Sequence, residues 1–462
     1  MKKLAAFLLI VSLVLTGCGG NGLAVEGVAI CLSDEQITVD GAAISNDPTQ
    51  AVYTARDIVY YESDRDFTYG EGTEDDAHSR EEAEAHTVVH ITKPGRYILS
   101  GQLSNGQIAV DLGEEAEDDP DAVVTLVLSG ADITCTVAPA VIFYNVYECS
   151  DKDASTPTVD TSHAGANVEI ADGTVNHISG AYVAKIYKPE SVELNKDGTE
   201  VKDAKKLHKY DAAFYSKMSM NMDGSTGVLN IQAANEGLDT ELHLTINGGN
   251  INICSGNDGI NTNEDGVSVT AINGGTVIAQ ACSFSPDAGI DSDMGIQLNG
   301  GTVIATGNML DHIAQSRQNY AIFQFAESNQ SEEVVLKDAA GQAVVQEKLE
   351  NEFSYLVISA PGLKKGEYSL WLDGVQMQVA SGQQMGGFGG GMGMMPPEGM
   401  EHPEGMTPPE GMQMPGDKTP PEGMEMPRKP DGMEKPEFER PTGETNDVFT
   451  ITAGANYFQI IH

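Results

Sequence analysis

The chain has 462 residues, a formal net charge of −43 and a pI near 4.3. That charge excludes nucleic acid as a partner, because phosphate backbones are held by basic patches. Aromatic residues make up 6% of the chain and include one tryptophan, which argues against a flat aromatic platform for crystalline cellulose.

The N-terminus reads as a targeting segment. Lys2 and Lys3 precede an apolar run from Leu4 to Leu15, followed by Thr16-Gly17-Cys18. The run is too short for a stable transmembrane span, and the pattern resembles the signal peptide and lipobox of bacterial lipoproteins. Residues 1–17 are then the leader, and residues 18–50 a linker. By the same resemblance Cys18 is the lipidated first residue, and acyl chains anchor the protein at the extracellular face of the cell membrane. Cys31, Cys135, Cys149, Cys254 and Cys282 remain, an odd set without metal spacing, expected mostly as small buried apolar residues. The acid-rich stretches Glu62 to Glu84 and Glu114 to Asp119 read as solvated insertions.

Further along, short apolar strands alternate with glycine corners. Tyr97-Ile98-Leu99-Ser100-Gly101 and Leu126-Val127-Leu128-Ser129-Gly130 are two examples, and Val168-Glu169-Ile170-Ala171-Asp172-Gly173 is a third. The segment from Lys185 to Lys209 interrupts them with the one concentration of lysines in this acidic chain. It reads as a solvated loop, with Lys205, Lys206 and the later Lys217 and Arg317 as candidate contacts for an anionic ligand.

Then one unit recurs at a fixed interval of 26 residues: Ile246-Asn247-Gly248-Gly249-Asn250-Ile251, Ile272-Asn273-Gly274-Gly275-Thr276-Val277 and Leu298-Asn299-Gly300-Gly301-Thr302-Val303. A strand, a Gly-Gly corner and a second strand make one coil of a parallel β-helix, and a coil is stable only when stacked on others. Aligned on the glycines, Ile251, Val277 and Val303 share one column, and Ile253, Ala279 and Ala305 another. Side chains in a strand alternate between faces, so both columns are expected inside.

Acids recur with the coils, in Asn235 to Thr240, Asn257 to Thr262 and Asp287 to Asp293. Each has a glycine, an apolar residue, then Asp or Asn, then Thr or Ser. The apolar residue is expected inward and the acids outward. Stacked carboxylates would lie about 5 Å apart and repel unless a cation sits between them. Calcium, a hard ion that takes oxygen ligands, is the expected cofactor. Its candidate ligands are Glu236, Asp239, Asp258, Asn261, Asp265, Asp287, Asp291 and Asp293. The same residue types also suit tight turns, which leaves an architectural reading open. The order from Asp258 to Asp265 is not that of an EF-hand.

Arg317 is the one arginine between Arg96 and Arg428. Trp371 sits in Tyr368-Ser369-Leu370-Trp371-Leu372 and is expected packed in a strand. Residues 51–380 are read as one β-helical domain, and residues 381–446 as a low-complexity segment repeating Pro-Glu-Gly-Met. Such a segment buries too little surface to offset its ordering entropy and is expected disordered. Residues 447–462 read again as strands that return to the folded domain.

His90-Ile91-Thr92-Lys93-Pro94-Gly95-Arg96-Tyr97, Asp211-Ala212-Ala213-Phe214-Tyr215-Ser216-Lys217 and the Asp-Gly-Ile and Gly-Gly-Thr coils occur in an order that resembles a known family. It is that of bacterial carbohydrate-binding domain-containing surface proteins built on a polysaccharide-lyase-like right-handed β-helix. The resemblance implies an all-β, right-handed parallel β-helix (a solenoid) that contains calcium. It also implies binding of plant cell-wall polysaccharide, acidic pectic chains in particular, without established catalysis.

Three functions follow from these readings. The first is a non-catalytic polysaccharide binder in which calcium bridges two acidic partners or neutralises the coil carboxylates. The second is a pectate-lyase-like enzyme, for which β-elimination needs calcium and a basic residue, here Arg317 or Lys217. The third is a structural adhesin.

Overall fold

A computed structural model describes residues 26–152, 159–282, 285–381 and 446–460. The expected leader, the lipidation site Cys18 and nearly all of the low-complexity segment lie outside the described residues. Among those described, the only α-helix is Arg80–Ala85, closed by a capping box between Ser79 and Glu82. Nearly everything else that is regular is strand.

The strands follow a repeating path through three faces. One circuit runs through Ala212–Ser216, Met220–Gly224 and Val228–Ala233, and the next through Glu236–Thr240, Leu244–Ile246 and Asn250–Ser255. Two more follow: Ile260–Thr262, Thr270–Ile272 and Thr276–Gln280, then Ile290–Ser292, Ile296–Leu298 and Thr302–Gly307. Each strand of the last three circuits pairs in parallel with the strand one circuit earlier. The register is the one the 26-residue interval predicts: Asn250, Thr276 and Thr302 are partners, and so are Ile251, Val277 and Val303.

The two expected interior columns are buried, from Ile251 and Ile253 at 0% exposure to Ala305 at 7%. Between them, Ile278 and Ile304 point the other way and are buried as well, in a second core. That core covers the outside of the third face with Phe323, Phe353 and Phe458. The parallel stack ends there, because Phe353–Ser359 pairs antiparallel with both Thr302–Gly307 and Tyr320–Asn329. An open parallel edge would template aggregation, and this antiparallel unit covers it. Ala455–Ile460 completes the unit, parallel to Tyr320–Asn329 and antiparallel to Val379–Ser381.

Both glycines of each Gly-Gly corner are required, for different reasons. Gly275 and Gly301 have φ of 80° and 76°, where a Cβ is strained. Gly274 and Gly300 instead lie so close to the circuit below that a Cβ would sit 2.4 and 2.3 Å from the Asn247 and Asn273 carbonyl oxygens. Trp371 lies half-buried in Gly366–Leu372, with Lys337 Nζ 3.8 Å above its ring.

Candidate functional site

The recurring acids lie on the first face. Leu238, Ile260 and Ile290 are register partners and point into the core, as expected. The next column, Asp239, Asn261 and Asp291, points outward. Thr240, Thr262 and Ser292 point inward again and are buried. Two of their hydroxyls brace the turn from the first face to the second: Thr240 donates to the Leu242 carbonyl at 2.9 Å and Ser292 to that of Gly295 at 3.1 Å. The glycine of the motif has a packing role, since a Cβ on Gly259 would sit 2.5 Å from the Gly289 carbonyl oxygen.

The acids do not form the exposed row that the alternation predicts. Asp239 is fully buried, and Glu236, Asp258 and Asp287 are nearly so, at 7–8% exposure. Asp291 and Asp293 are half-buried, and Asp265 is exposed. Asn261 separates Asp239 from Asp291 in their column, so those two carboxylates are two strand spacings apart. Glu236 and Asp258 lie one circuit apart, and Glu236 acts electrostatically on Asp258. Asn261 donates to Glu236 Oε1 at 2.9 Å, and the Ala288 amide donates to Asp258 Oδ1 at 2.6 Å. Asn263 donates to both oxygens of Asp239 at 3.3 Å.

Two predicted ligands are engaged by donors of their own. Asp287 accepts hydrogen bonds from Cys282 and Ser285, and Asp293 accepts one from the Gly266 amide, which keeps it at the turn beside Asp265. Three acids not singled out from sequence belong to the cluster or its edge. Asp211 and Glu241 act electrostatically on Asp239, and Asp311 binds the Ser292 amide at 2.9 Å beside Asp291. The Glu241 position is occupied by Lys217 one circuit earlier and by Asn263 and Asp293 later, a second polar column beside the first.

Burial dominates the electrostatics. It raises Glu236 and Asp239 well above the usual carboxylate range, with neighbouring acids adding to the effect. Asp258 is pushed up to about 9 by burial and then by Glu236, Asp291 and Asp287, and Asp311 to about 7 by burial. Acceptors also outnumber donors. Among the described residues, four buried side-chain oxygens lack a hydrogen-bond partner, and Glu236 Oε2, Asn257 Oδ1 and Asn263 Oδ1 are three of them. The carboxylates of Glu236, Asp239 and Asp258 and the Asn261 amide oxygen are the donor type a hard divalent cation prefers. No three His, Cys, Asp or Glu side chains converge as a complete ligand set among the described residues. A cation here would draw further ligands from asparagine, backbone or water.

The predicted cations form no ion pair with the acids of the first-face strands among the described residues. Lys217 pairs with Glu117 at 2.7 Å, beside Lys152. Lys206 pairs with Glu71 at 3.2 Å, and Lys205 is exposed. Arg317 follows Gln315–Ser316, which pairs with Ile296–Leu298 on the second face rather than the acid face. Glu62 to Glu84 and Lys185 to Lys209 are not simply solvated. They pack on each other through Glu71 with Lys185 and Lys206, and Asp76 accepts from the Tyr182 hydroxyl. Lys209 then acts on Asp211, Asp239 and Glu241, so the lysine-rich excursion flanks one end of the acid ladder.

Comparison with known proteins gives three results. A family model described as carbohydrate-binding domain-containing protein matches residues 85–345. A carbohydrate-binding domain-containing protein of Acetivibrio thermocellus is 30% identical over 253 residues, 54% of this chain and 64% of the relative, so the match spans a little under two thirds of that relative's length. A solved structure, a polysaccharide lyase-like protein from C. thermocellum as a gadolinium derivative, aligns over 63% of this chain and 93% of its own at 21% identity, with a TM-score of 0.34.

Proposed function

The chain belongs to the carbohydrate-binding domain-containing family, and on that premise we propose that it is a non-catalytic, cell-surface lipoprotein that binds acidic plant cell-wall polysaccharide through calcium on a right-handed parallel β-helix. The coil-by-coil parallel pairing supports the β-helix. One observation carries the calcium reading. Buried carboxylates on adjacent circuits, Glu236 and Asp258, come with an unpartnered Glu236 oxygen and no ion pair to a cationic side chain among the described residues. A bound calcium would supply the positive charge that lets this acidic surface meet a polyuronate. Glu236, Asp239, Asp258 and Asn261 would hold it, and the incomplete protein ligand set leaves coordination positions for glycan carboxylates.

The lyase alternative is less well supported. Arg317 lies on a different face from the acids, and Lys217 is held by Glu117. Affinity electrophoresis in polygalacturonate gels tests the reading. Retardation is expected with calcium, and it should be lost with chelator and reduced at least about tenfold in Glu236→Gln and Asp239→Asn, the effect of removing a charged ligand from a calcium site. Retardation that survives chelation would remove calcium from the mechanism. Release of unsaturated uronides, abolished by Arg317→Ala, would replace binding with catalysis.

A further inference from the structure

We propose that the cleft between residues 58–69 and the lysine-rich excursion is a second saccharide subsite, one that takes an uncharged pyranose unit of a polysaccharide. The proposal rests on the reading of the chain as a polysaccharide binder. The cleft has a volume of about 360 Å³, within the range of small-molecule sites, roughly 300–1,000 Å³. Tyr60 and Tyr69 line one wall, Tyr187 and His208 the other, and Glu62 and Arg65 add polar groups. The walls are tied together by the Tyr187 amide, which donates to the Tyr69 carbonyl at 2.8 Å.

Its chemistry fits a sugar ring. A pyranose has apolar C–H faces and a polar edge, and tyrosine presents an apolar ring with a hydroxyl at its end. The Tyr69 ring is held by Tyr61, with ring centroids 5.0 Å apart, and by Arg65, 4.4 Å from its centroid. The three lining tyrosines are half-buried rather than packed away. In a chain with so few aromatics, their convergence on one cleft is a local concentration.

The charges favour a neutral ligand. Arg65 is paired with Glu62 at 3.1 Å, and Lys185 and Lys206 are both directed at Glu71. Burial also lowers the pKa of His208, which favours its neutral imidazole. The cationic side chain lining the cleft, Arg65, is thus already paired, and the net charge of −43 repels a uronate. One wall lies before residue 85, outside the part the family model matches.

Native gels containing neutral galactan, xyloglucan or glucomannan, run beside polygalacturonate with calcium, test the proposal with the full chain. At least one neutral glycan should retard the protein. Tyr187→Ala should weaken that retardation at least about tenfold, the loss of one aromatic contact, and Tyr187→Phe should keep it. Leu207→Trp, at a residue 49% exposed on the cleft wall, should block it. Polygalacturonate retardation should be unchanged in all three, which also shows that the variants are folded. Binding to polygalacturonate but to no neutral glycan would overturn the subsite and leave the proposed function standing. Binding to neither would overturn both. Neutral-glycan binding unaffected by Tyr187→Ala and Leu207→Trp would overturn the location, and loss of polygalacturonate binding in Tyr187→Ala would overturn the neutral ligand.

Discussion

Asp258 and Gly259 are neighbours that the fold constrains in different ways. The Asp258 carboxyl is raised from 3.8 to about 9 by burial and nearby acids, so the folded chain holds its proton more tightly than the unfolded chain does. Without a cation, the stability from this group is fully present below about pH 4 and is lost as pH rises towards about 9. In chelator, the Tm should therefore fall between about pH 5 and about pH 9, and Asp258→Asn should flatten that slope. Added calcium should raise the Tm more at about pH 8 than at about pH 5, and an equal effect at both would count against a carboxylate site. Gly259 has no room for a side chain, since a Cβ there would sit 2.5 Å from the Gly289 carbonyl oxygen and 3.1 Å from the Gln280 amide nitrogen. Gly259→Ala should cost about 1–3 kcal/mol in urea denaturation, the usual range for overpacking.

At the scale of elements, the aliphatic columns were legible because side chains in a strand repeat every second residue and the circuits repeat at constant length. The antiparallel unit that ends the stack was not, because its partners are distant in sequence: Tyr320 pairs with Ala455 and Ser359. Its aromatic core is compact, with Phe458 4.5 Å from Phe449 and 5.4 Å from Phe323 by ring centroid. Phe458→Ala should destabilise the protein by about 3–5 kcal/mol, and the loss should show as a lower denaturation midpoint. The excursions from Glu62 and from Lys185 read as solvated for the same reason. Glu71 and Lys206 are an ordinary pair of surface charges until the fold brings them to 3.2 Å.

For the whole molecule, the long low-complexity segment begins and ends at one place. Val379 and Asn446 exchange two backbone hydrogen bonds of 2.9 Å across its base. Replacing residues 382–445 with a short Gly-Ser linker should therefore leave the Tm within about 2 °C, since loop-closure entropy changes slowly with loop length. A large drop would mean that the segment contributes to folding stability. The molecule also holds its coil acids and its aromatic cleft at separate places, the first on the acid ladder and the second at the excursion beside it. That separation is what allows charged and neutral glycans to be tested independently.

The sequence by itself determined the stacking register, because glycine corners at constant spacing admit few alignments and a slip would turn the aliphatic columns outward. It also located the acids in the turns and first-face strands. Only the tertiary structure decided which of them meet. Glu236 acts on Asp258 across one circuit, Asn261 keeps Asp239 from Asp291, and Asp287 turns to Cys282. Burial of carboxylates depends on what packs around them, and that is set by neighbouring circuits rather than by adjacent residues. Residue type recorded the charge; the fold set its solvation.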